Sequence, residues 1–261
     1  MKNDGEEIYA AARRQSAVDL GCAAEDFLRE DNVVVLSRPD PGARRYLTLP
    51  FSCQLVTYGG NIVASVSPEL REPVESYLAG SPVRYCAFET PKLLELDEAL
   101  RPFGQRVCFM AEYFLPEPDA PAPPDCPYEL RLLYPGDFAP LYTAEWANAL
   151  CEKRRELDML AVGAYDEGGR LVGLAGCSAD CEDMWQIGVD VLPGHRGRGL
   201  GPALTGRLTA EIFRRGKIPF YCAAWSNIRS VRTALRCGYR PAWLEVTARD
   251  SAFTESVLRG E

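Results

Sequence analysis

The sequence of 261 residues lacks several features that would point to whole classes of protein. It has one histidine and no Cys-x-x-Cys pair, so neither a zinc site nor a redox dithiol is expected. No run of about 18 apolar residues is present, so no membrane span is expected. The polar, acidic first residues do not resemble a secretory signal. These absences predict a soluble cytoplasmic protein with ten free thiols and no bound metal.

Positive charge is scarce over most of the chain and concentrated in one segment. The net charge of −8 argues against a nucleic-acid partner. Residues 191–240 nevertheless hold ten Lys or Arg against one acid, Glu211, so this segment is near +9 and the remainder near −17. Such a basic zone on an acidic protein indicates an anionic ligand held at one place. A solvated basic helix face is the alternative, but the glycines among these residues favour the ligand.

A proline-rich stretch marks the clearest boundary in the chain. Five of the ten residues 116–125 are proline, which predicts a stiff, extended linker. The sequence therefore predicts an N-terminal α/β domain over residues 1–115 and a second domain over residues 126–261. With 47% hydrophobic residues, the chain is rich enough in apolar side chains to bury a core.

The two predicted domains differ in what their patterns reveal. For the first, hydrophobic periodicity and turn residues predict helices within 6–30, a strand over 32–36, a hairpin over 53–66, helices over 68–79 and 92–100, and a strand over 106–115. For the second, they predict strands over 128–133, 160–165, 170–177, 184–192, 219–225 and 243–248. They also predict helices over 137–155, with a break near Asn148 as an alternative, over 200–215 and over 226–237. The order of strands and helices in the second domain is typical of an α+β fold with a mixed sheet.

Residues 196–201, Arg-Gly-Arg-Gly-Leu-Gly, join a predicted strand to a predicted helix. Such a junction directs several backbone N–H groups toward one point, and the flanking arginines add charge, so the loop is expected to bind a phosphate or pyrophosphate. A nucleoside-triphosphate loop would need Lys-Ser/Thr after its glycines. A dinucleotide fold would need Gly-x-Gly-x-x-Gly in a first βα unit. Neither pattern fits.

The loop resembles the acetyl-CoA pyrophosphate loop of the GNAT superfamily of N-acetyltransferases, whose pattern is Arg/Gln-x-x-Gly-x-Gly/Ala. Residues 188–193 are similar to the family's fourth strand. Trp225-Ser226-Asn227-x-x-Ser230 is similar to its Asn-x-x-Ser element, and Cys237-Gly238-Tyr239 to its Gly-Phe/Tyr element. The resemblance covers about residues 126–250. It implies a mixed, largely antiparallel sheet flanked by helices, and the N-terminal domain is either a degenerate copy of this fold or an unrelated cap.

The resemblance also implies which residues hold acetyl-CoA. The loop would bind the pyrophosphate, and the strand before it would pair with the pantetheine arm and polarise the thioester carbonyl. Asn227 and Ser230 would touch the pantetheine or the phosphates, although Asn227 is also a plausible helix cap. The predicted cofactor-binding residues are Val189, Asp190, Val191, Arg196, Gly197, Arg198, Gly199, Leu200, Gly201, Asn227 and Ser230. His195 is expected to face the phosphates rather than to act in catalysis.

The implied chemistry is direct attack of an amine on the thioester, which needs a base for the amine and an acid for the CoA thiolate. The family's usual tyrosine acid is replaced by Ala234, and Tyr221 is the candidate substitute, with simple strand packing as its alternative. Glu182 and Asp183 are the candidate bases, with a solvated acidic turn as the alternative.

The acceptor is predicted to be a small-molecule or peptide amine, with no nucleic-acid or membrane partner. The N-terminal half is predicted to contribute either acceptor specificity or a homodimer surface. Glu145 and Trp146 are predicted to line the acceptor pocket, with core packing as the alternative for Trp146. The predicted function is acetyl-CoA-dependent N-acetyltransfer. A non-catalytic acyl-CoA sensor is one alternative, since the usual tyrosine is missing. An aminoacyl transferase on a tandem GNAT scaffold is another, which the acidic charge disfavours.

Overall fold

The computed structural model describes residues 5–47, 49–80, 84–118, 125–224 and 226–260. The chain forms two compact units, each discontinuous in sequence. Unit 1 comprises Met1–Tyr9 and Tyr113–Pro241, and unit 2 comprises Ala10–Glu112 and Ala242–Glu261. Residues 119–124 of the predicted linker and Trp225 of the Asn-x-x-Ser element lie outside the described residues. The division into 1–115 and 126–261 therefore stays a prediction.

Helices and strands alternate along the described chain. The α-helices are α1 (Gly5–Leu20), α2 (Arg71–Ala79), α3 (Thr90–Leu100), α4 (Leu200–Arg214), α5 (Ile228–Arg236) and α6 (Ser251–Arg259). The strands are β1 (Val33–Leu36), β2 (Cys53–Thr57), β3 (Ile62–Val66), β4 (Gln105–Pro116), β5 (Glu129–Leu133), β6 (Asp158–Tyr165), β7 (Leu171–Ser178), β8 (Met184–Val191), β9 (Ile218–Ala224) and β10 (Tyr239–Asp250). No helix within the described ranges has the length and apolar character to cross a bilayer.

Unit 1 is built on a mixed, largely antiparallel sheet. The end of β4 and the strands β9, β8, β7, β6 and β5 lie side by side in that order. Strands β5 to β8 pair antiparallel, whereas β8 and β9 pair parallel. Helix α4 carries an apolar residue every fourth position, and this stripe packs on one face of the sheet. The opposite face is covered by Phe138, Trp146 and Leu150, which pack on Ala161 and Leu174.

Unit 2 contains the predicted β-hairpin, which the structure confirms as β2 and β3 joined by a Gly-Gly turn. Gly59 has a φ of +94°, a conformation that glycine adopts without strain. Within this unit the strand order is β1, β3, β2, β10 and the start of β4. Apolar residues of α2 and α3, including Val74, Leu78 and Leu96, pack with Leu55 in its core.

One predicted element is wrong. The helix expected over residues 137–155 is instead a series of short 3-10 turns at Pro135–Asp137, Ala139–Leu141, Ala144–Trp146 and Glu152–Leu157. A continuous helix would bond its N–H groups to carbonyls four residues back. Here the N–H groups of Asn148 and Ala149 bond to the Asp190 carboxylate, and that of Cys151 bonds to Asp158. Carboxylates outside the predicted helix thus hold the segment in an irregular path. Helix α6 had no counterpart among the predicted elements.

Candidate active site

Strands β8 and β9 of unit 1 run side by side and then separate. Their parallel pairing joins residues 184–187 to residues 218–221, yet β8 continues to Val191 and β9 to Ala224. From Gly188 onward the β9-facing edge of β8 has no strand partner in this register. A cleft of about 1220 Å³ opens at this separation. An extended ligand can use such an edge as if it were an added strand.

The glycine loop lies at the end of β8 and lines the same cleft. Gly197 and Gly199 have φ angles of +77° and +78°, so both adopt the left-handed conformation that favours glycine. A Cβ added at either would meet no atom within 4 Å, which leaves the loop backbone open to a ligand. Gly199 precedes α4 without any side-chain cap, so the first N–H groups of the helix remain available for an anion.

The arginines of the basic segment fall into two groups. Three arginines on or directly after α4 form ion pairs with Glu211, which is buried: these are Arg207, Arg214 and Arg215. The arginines that line the cleft are exposed, and none of them forms an ion pair with a described carboxylate: these are Arg196, Arg229, Arg232 and Arg236. The cleft therefore holds uncompensated positive charge beside a helix N-terminus. This arrangement suits a ligand with several phosphates.

Tyr221 and Ser230 form a hydroxyl pair in the cleft. Tyr221 is buried on β9, and its Oη lies 2.8 Å from Oγ of Ser230 on α5. Asn227 caps α5 by accepting a hydrogen bond from the Ser230 N–H at 3.2 Å, so the cap role predicted as an alternative is present. Burial raises the pKa of Tyr221 to about 12, so this hydroxyl keeps its proton at neutral pH. Ala234 is fully buried and offers no hydroxyl.

A segment of irregular backbone crosses the sheet at the start of the strand separation. We call residues 147–150 the crossing segment. Gly176 and Gly188 are cross-strand partners on β7 and β8. A Cβ on Gly188 would lie 1.7 Å from the carbonyl oxygen of Asn148, and a Cβ on Gly176 would lie 2.0 Å from that of Ala149. Only glycine at these two positions allows the backbone to pass so close.

Asp190 holds the crossing segment in place. Its carboxylate accepts hydrogen bonds from the N–H groups of Asn148 and Ala149 at 2.9 and 3.0 Å, and from Nδ2 of Asn148 at 2.6 Å. Asn148 in turn lines the cleft. The sequence pattern gave no sign of this contact, because Asn148 and Asp190 are 42 positions apart in the chain.

His195 lines the cleft beside the glycine loop. Its Nδ1 lies 2.9 Å from the hydroxyl of Tyr128, and the two rings meet edge to face with centroids 5.6 Å apart. Arg196 is anchored nearby, since its Nε donates to the carbonyl oxygen of Val191 at 2.8 Å. These contacts fix the side chains that flank the loop.

The structure does not bring every predicted site residue to the cleft. Glu182 and Asp183 are exposed in the turn before β8. At about 3.4 Å per residue, Asp183 lies about 17 Å along the strand from Gly188. Glu145 is exposed and does not line the cleft, and Trp146 packs in the core, in accord with its alternative role. Arg198 is exposed outside the lining, whereas the other predicted cofactor-binding residues all line the cleft.

Comparison with protein families connects this geometry to a known fold. Residues 127–239 match the Acetyltransferase (GNAT) family. The matched region contains the separated strands, the glycine loop and the two helices that bear the arginines. This match supports an acyl-transfer function for the matched residues. None of the curated proteins matches the chain.

Several solved structures are similar to the chain. An acetyltransferase of the GNAT family from Novosphingobium aromaticivorans has 23% identity and a TM-score of 0.44, with 56% of this chain and 66% of that chain covered. A GCN5-related N-acetyltransferase from Sphaerobacter thermophilus has 17% identity and a TM-score of 0.48, with 72% of each chain covered. A GNAT family N-acetyltransferase from Escherichia coli in complex with CoA has 20% identity and a TM-score of 0.30, with 36% and 61% covered.

Proposed function

We propose that the GNAT domain transfers an acetyl group from acetyl-CoA directly to an amine. The observation that carries this proposal is the separation of β8 from β9 next to a glycine loop with uncompensated arginines. Acetyl-CoA combines a pyrophosphate with an extended pantetheine arm that ends in the thioester. The loop and the arginines suit the phosphates, and the free edge of β8 suits the arm.

In this proposal, backbone groups of the loop and the start of α4 hold the pyrophosphate. The edge of β8 from Val189 to Val191 pairs with the pantetheine, and one of its N–H groups polarises the thioester carbonyl. Asn227 and Ser230 lie at the start of α5, where they border the same cleft. Arg198 adds only long-range charge, because it lies outside the lining.

The reaction forms a C–N bond and breaks the C–S bond of the thioester. The amine loses a proton and the CoA thiolate gains one. We assign the donor role to Tyr221, because this residue lines the cleft and its hydroxyl stays protonated at neutral pH and is bonded to the Ser230 hydroxyl. We assign no base role to Glu182 or Asp183, since both lie away from the cleft, and the amine proton passes to solvent in the open cleft.

A sensor that binds acyl-CoA without turnover is the second candidate. The observation that favours it is Ala234, a buried methyl group at the position where the family's usual acid would stand. An aminoacyl transferase has no such support, and its donor, a charged tRNA, would call for a less acidic protein. Ten free cysteines are consistent with a reducing, cytoplasmic compartment.

The experiment combines calorimetry with a turnover assay. CoA and acetyl-CoA are titrated into the full chain, and release of free CoA thiol is then followed with a panel of amines and peptides. Binding together with amine-dependent thiol release supports the transferase. Tight binding without release on any amine favours the sensor, and an absence of CoA binding overturns both.

A further inference from the structure

Asp190 has a role that its expected backbone contact with CoA does not explain. Residues 186, 188 and 190 of β8 face away from α4, because side chains alternate along a strand and Val189 and Val191 pack with the α4 core. Asp190 therefore lies on the face opposite to α4, where the crossing segment passes over Gly188. An amine that attacks the thioester from this face would meet the crossing segment first.

Both oxygens of the Asp190 carboxylate take part in holding that segment. Three N–H groups donate to its two oxygens, two from consecutive backbone positions and one from the Asn148 side chain. A carboxylate can only accept hydrogen bonds, so Asn148 must turn its NH₂ toward Asp190. The amide oxygen of Asn148 then remains available to accept a hydrogen bond from a ligand. Asn148 is the only residue of the crossing segment that lines the cleft.

We propose that Asp190 is a positioning residue that fixes Asn148 at the acceptor mouth of the cleft, where the amide oxygen of Asn148 accepts an N–H of the incoming amine. This inference rests on the proposed acetyltransferase function and assigns it an acceptor contact. Gly176 and Gly188 also position the crossing segment, since any side chain at these residues would push that segment off the sheet. The acceptor is thus recognised as a hydrogen-bond donor at nitrogen.

Three variants separate the fixing of the segment from the orientation of the amide. Asp190→Ala removes all three hydrogen bonds. Asp190→Asn can still accept from the two backbone N–H groups, but its own NH₂ forces the Asn148 amide to reverse, which places an NH₂ in the cleft. The double variant Asp190→Asn/Asn148→Asp restores an oxygen at both places. Glu167→Gln, in the exposed turn after β6, is the control for loss of one negative charge.

The experiment measures amide hydrogen exchange of residues 147–151, CoA affinity and amine kinetics in the full chain. The kinetic probe is whichever of n-butylamine, tyramine, spermidine and a peptide with a free N-terminus the wild type acetylates fastest. We expect Asp190→Ala to speed exchange at least tenfold. We expect Asp190→Asn to leave exchange within threefold of wild type and to raise the amine KM at least tenfold, with the Kd for CoA within threefold. The double variant should recover most of the amine KM.

The inference is wrong if Asp190→Ala leaves exchange unchanged, or if Asp190→Asn weakens CoA binding while the amine KM stays the same. It is also wrong if the double variant recovers nothing although it folds and binds CoA. A wild type that binds no CoA, or acetylates none of the four amines, would instead contradict the proposed function on which the inference rests.

Discussion

Arginine serves opposite purposes in the two units. In unit 2, Arg44 is 2% exposed and forms ion pairs with Asp19 and Glu245, which are also buried. The backbone N–H of Arg44 also donates a hydrogen bond to Asp19, and the side chains of Gln54 and Trp243 donate hydrogen bonds to Glu245. In unit 1, the arginines of the cleft are exposed and lie without carboxylate partners among the described residues. The charge of Arg44 is thus neutralised within the protein, whereas the charge of the cleft arginines is available to a bound anion.

This difference indicates how charge marks a binding site in an acidic protein. Outside the cleft, several arginines of the described chain are matched by nearby acids, as Glu211 matches Arg207, Arg214 and Arg215. Arginines without a carboxylate partner stay hydrated at the surface, and they can form charge-assisted hydrogen bonds with a phosphate when it binds. The basic segment seen in the sequence therefore contains both a neutralised helix face and a site. Only the structure separates the two.

The largest effect is expected in unit 2. Arg44→Leu would leave two buried carboxylates without their cation, which typically costs about 3–5 kcal/mol of stability. Urea unfolding should detect this loss. The matched control is Arg44→Leu/Asp19→Asn/Glu245→Gln, which removes the stranded charges and should recover part of the loss. A cost below about 1 kcal/mol for Arg44→Leu would show that the cluster is not a closed, charge-balanced structure.

Asp158 in unit 1 is a buried carboxylate that, unlike Asp19 and Glu245, forms no ion pair with an arginine among the described residues. The hydrogen bonds to Asp158 come from the Cys151 N–H and the Tyr142 hydroxyl, at 2.9 and 3.2 Å. Burial raises the pKa of Asp158 to about 6. Because the pKa is higher in the folded state than in the unfolded state, this group's contribution to stability is lost as the pH rises from about 4 to about 6.

The change Asp158→Asn removes this titration. We therefore expect the stability of the wild type relative to Asp158→Asn to fall by about 2–3 kcal/mol between pH 4 and pH 7, as measured by urea unfolding at each pH. The opposite trend, with the wild type gaining on the variant as the pH rises, would mean that nearby cations rather than burial control this carboxylate.

The cleft arginines should change affinity rather than stability. Arg232→Gln is expected to weaken CoA binding about tenfold and to flatten its salt dependence, while stability stays within about 0.5 kcal/mol. Arg229→Gln and Arg236→Gln should act in the same direction. Arg207→Gln is the matched control, because Arg207 lies on α4 beside Glu211 and outside the cleft lining. Equal effects of Arg207→Gln and Arg232→Gln on CoA affinity would remove the distinction between the two groups.

Much of the fold around the cleft could be predicted because it depends on local patterns. The strand predicted over 184–192 and the helix predicted over 200–215 are confirmed as β8 and α4. Their apolar periodicity, the loop glycines and the stop at Gly216 are all visible in a short stretch of sequence. The predicted cofactor-binding residues, apart from Arg198, line one cleft for the same reason.

The acceptor side could not be predicted because it depends on distant contacts. The segment between Asp137 and Arg155 has enough helix-forming residues to favour a helix, yet Asp158 and Asp190 capture its N–H groups. The requirement for glycine at positions 176 and 188 is visible only in the structure, because it comes from the backbone of the crossing segment that passes over them. Trp146 is apolar enough for either a pocket or a core, and tertiary packing puts it in the core.

The most direct test of the account is calorimetry of CoA binding to Gly199→Glu. The matched control is Gly169→Glu, because Gly169 has a φ of +74° and open space for a Cβ, as does Gly199, but lies in a hairpin turn outside the cleft lining. Both variants carry the same backbone strain and added charge. We predict that Gly199→Glu loses at least 100-fold in CoA affinity while Gly169→Glu binds as the wild type does. Equal CoA affinity in the two variants would contradict the assignment of the glycine loop as the phosphate site.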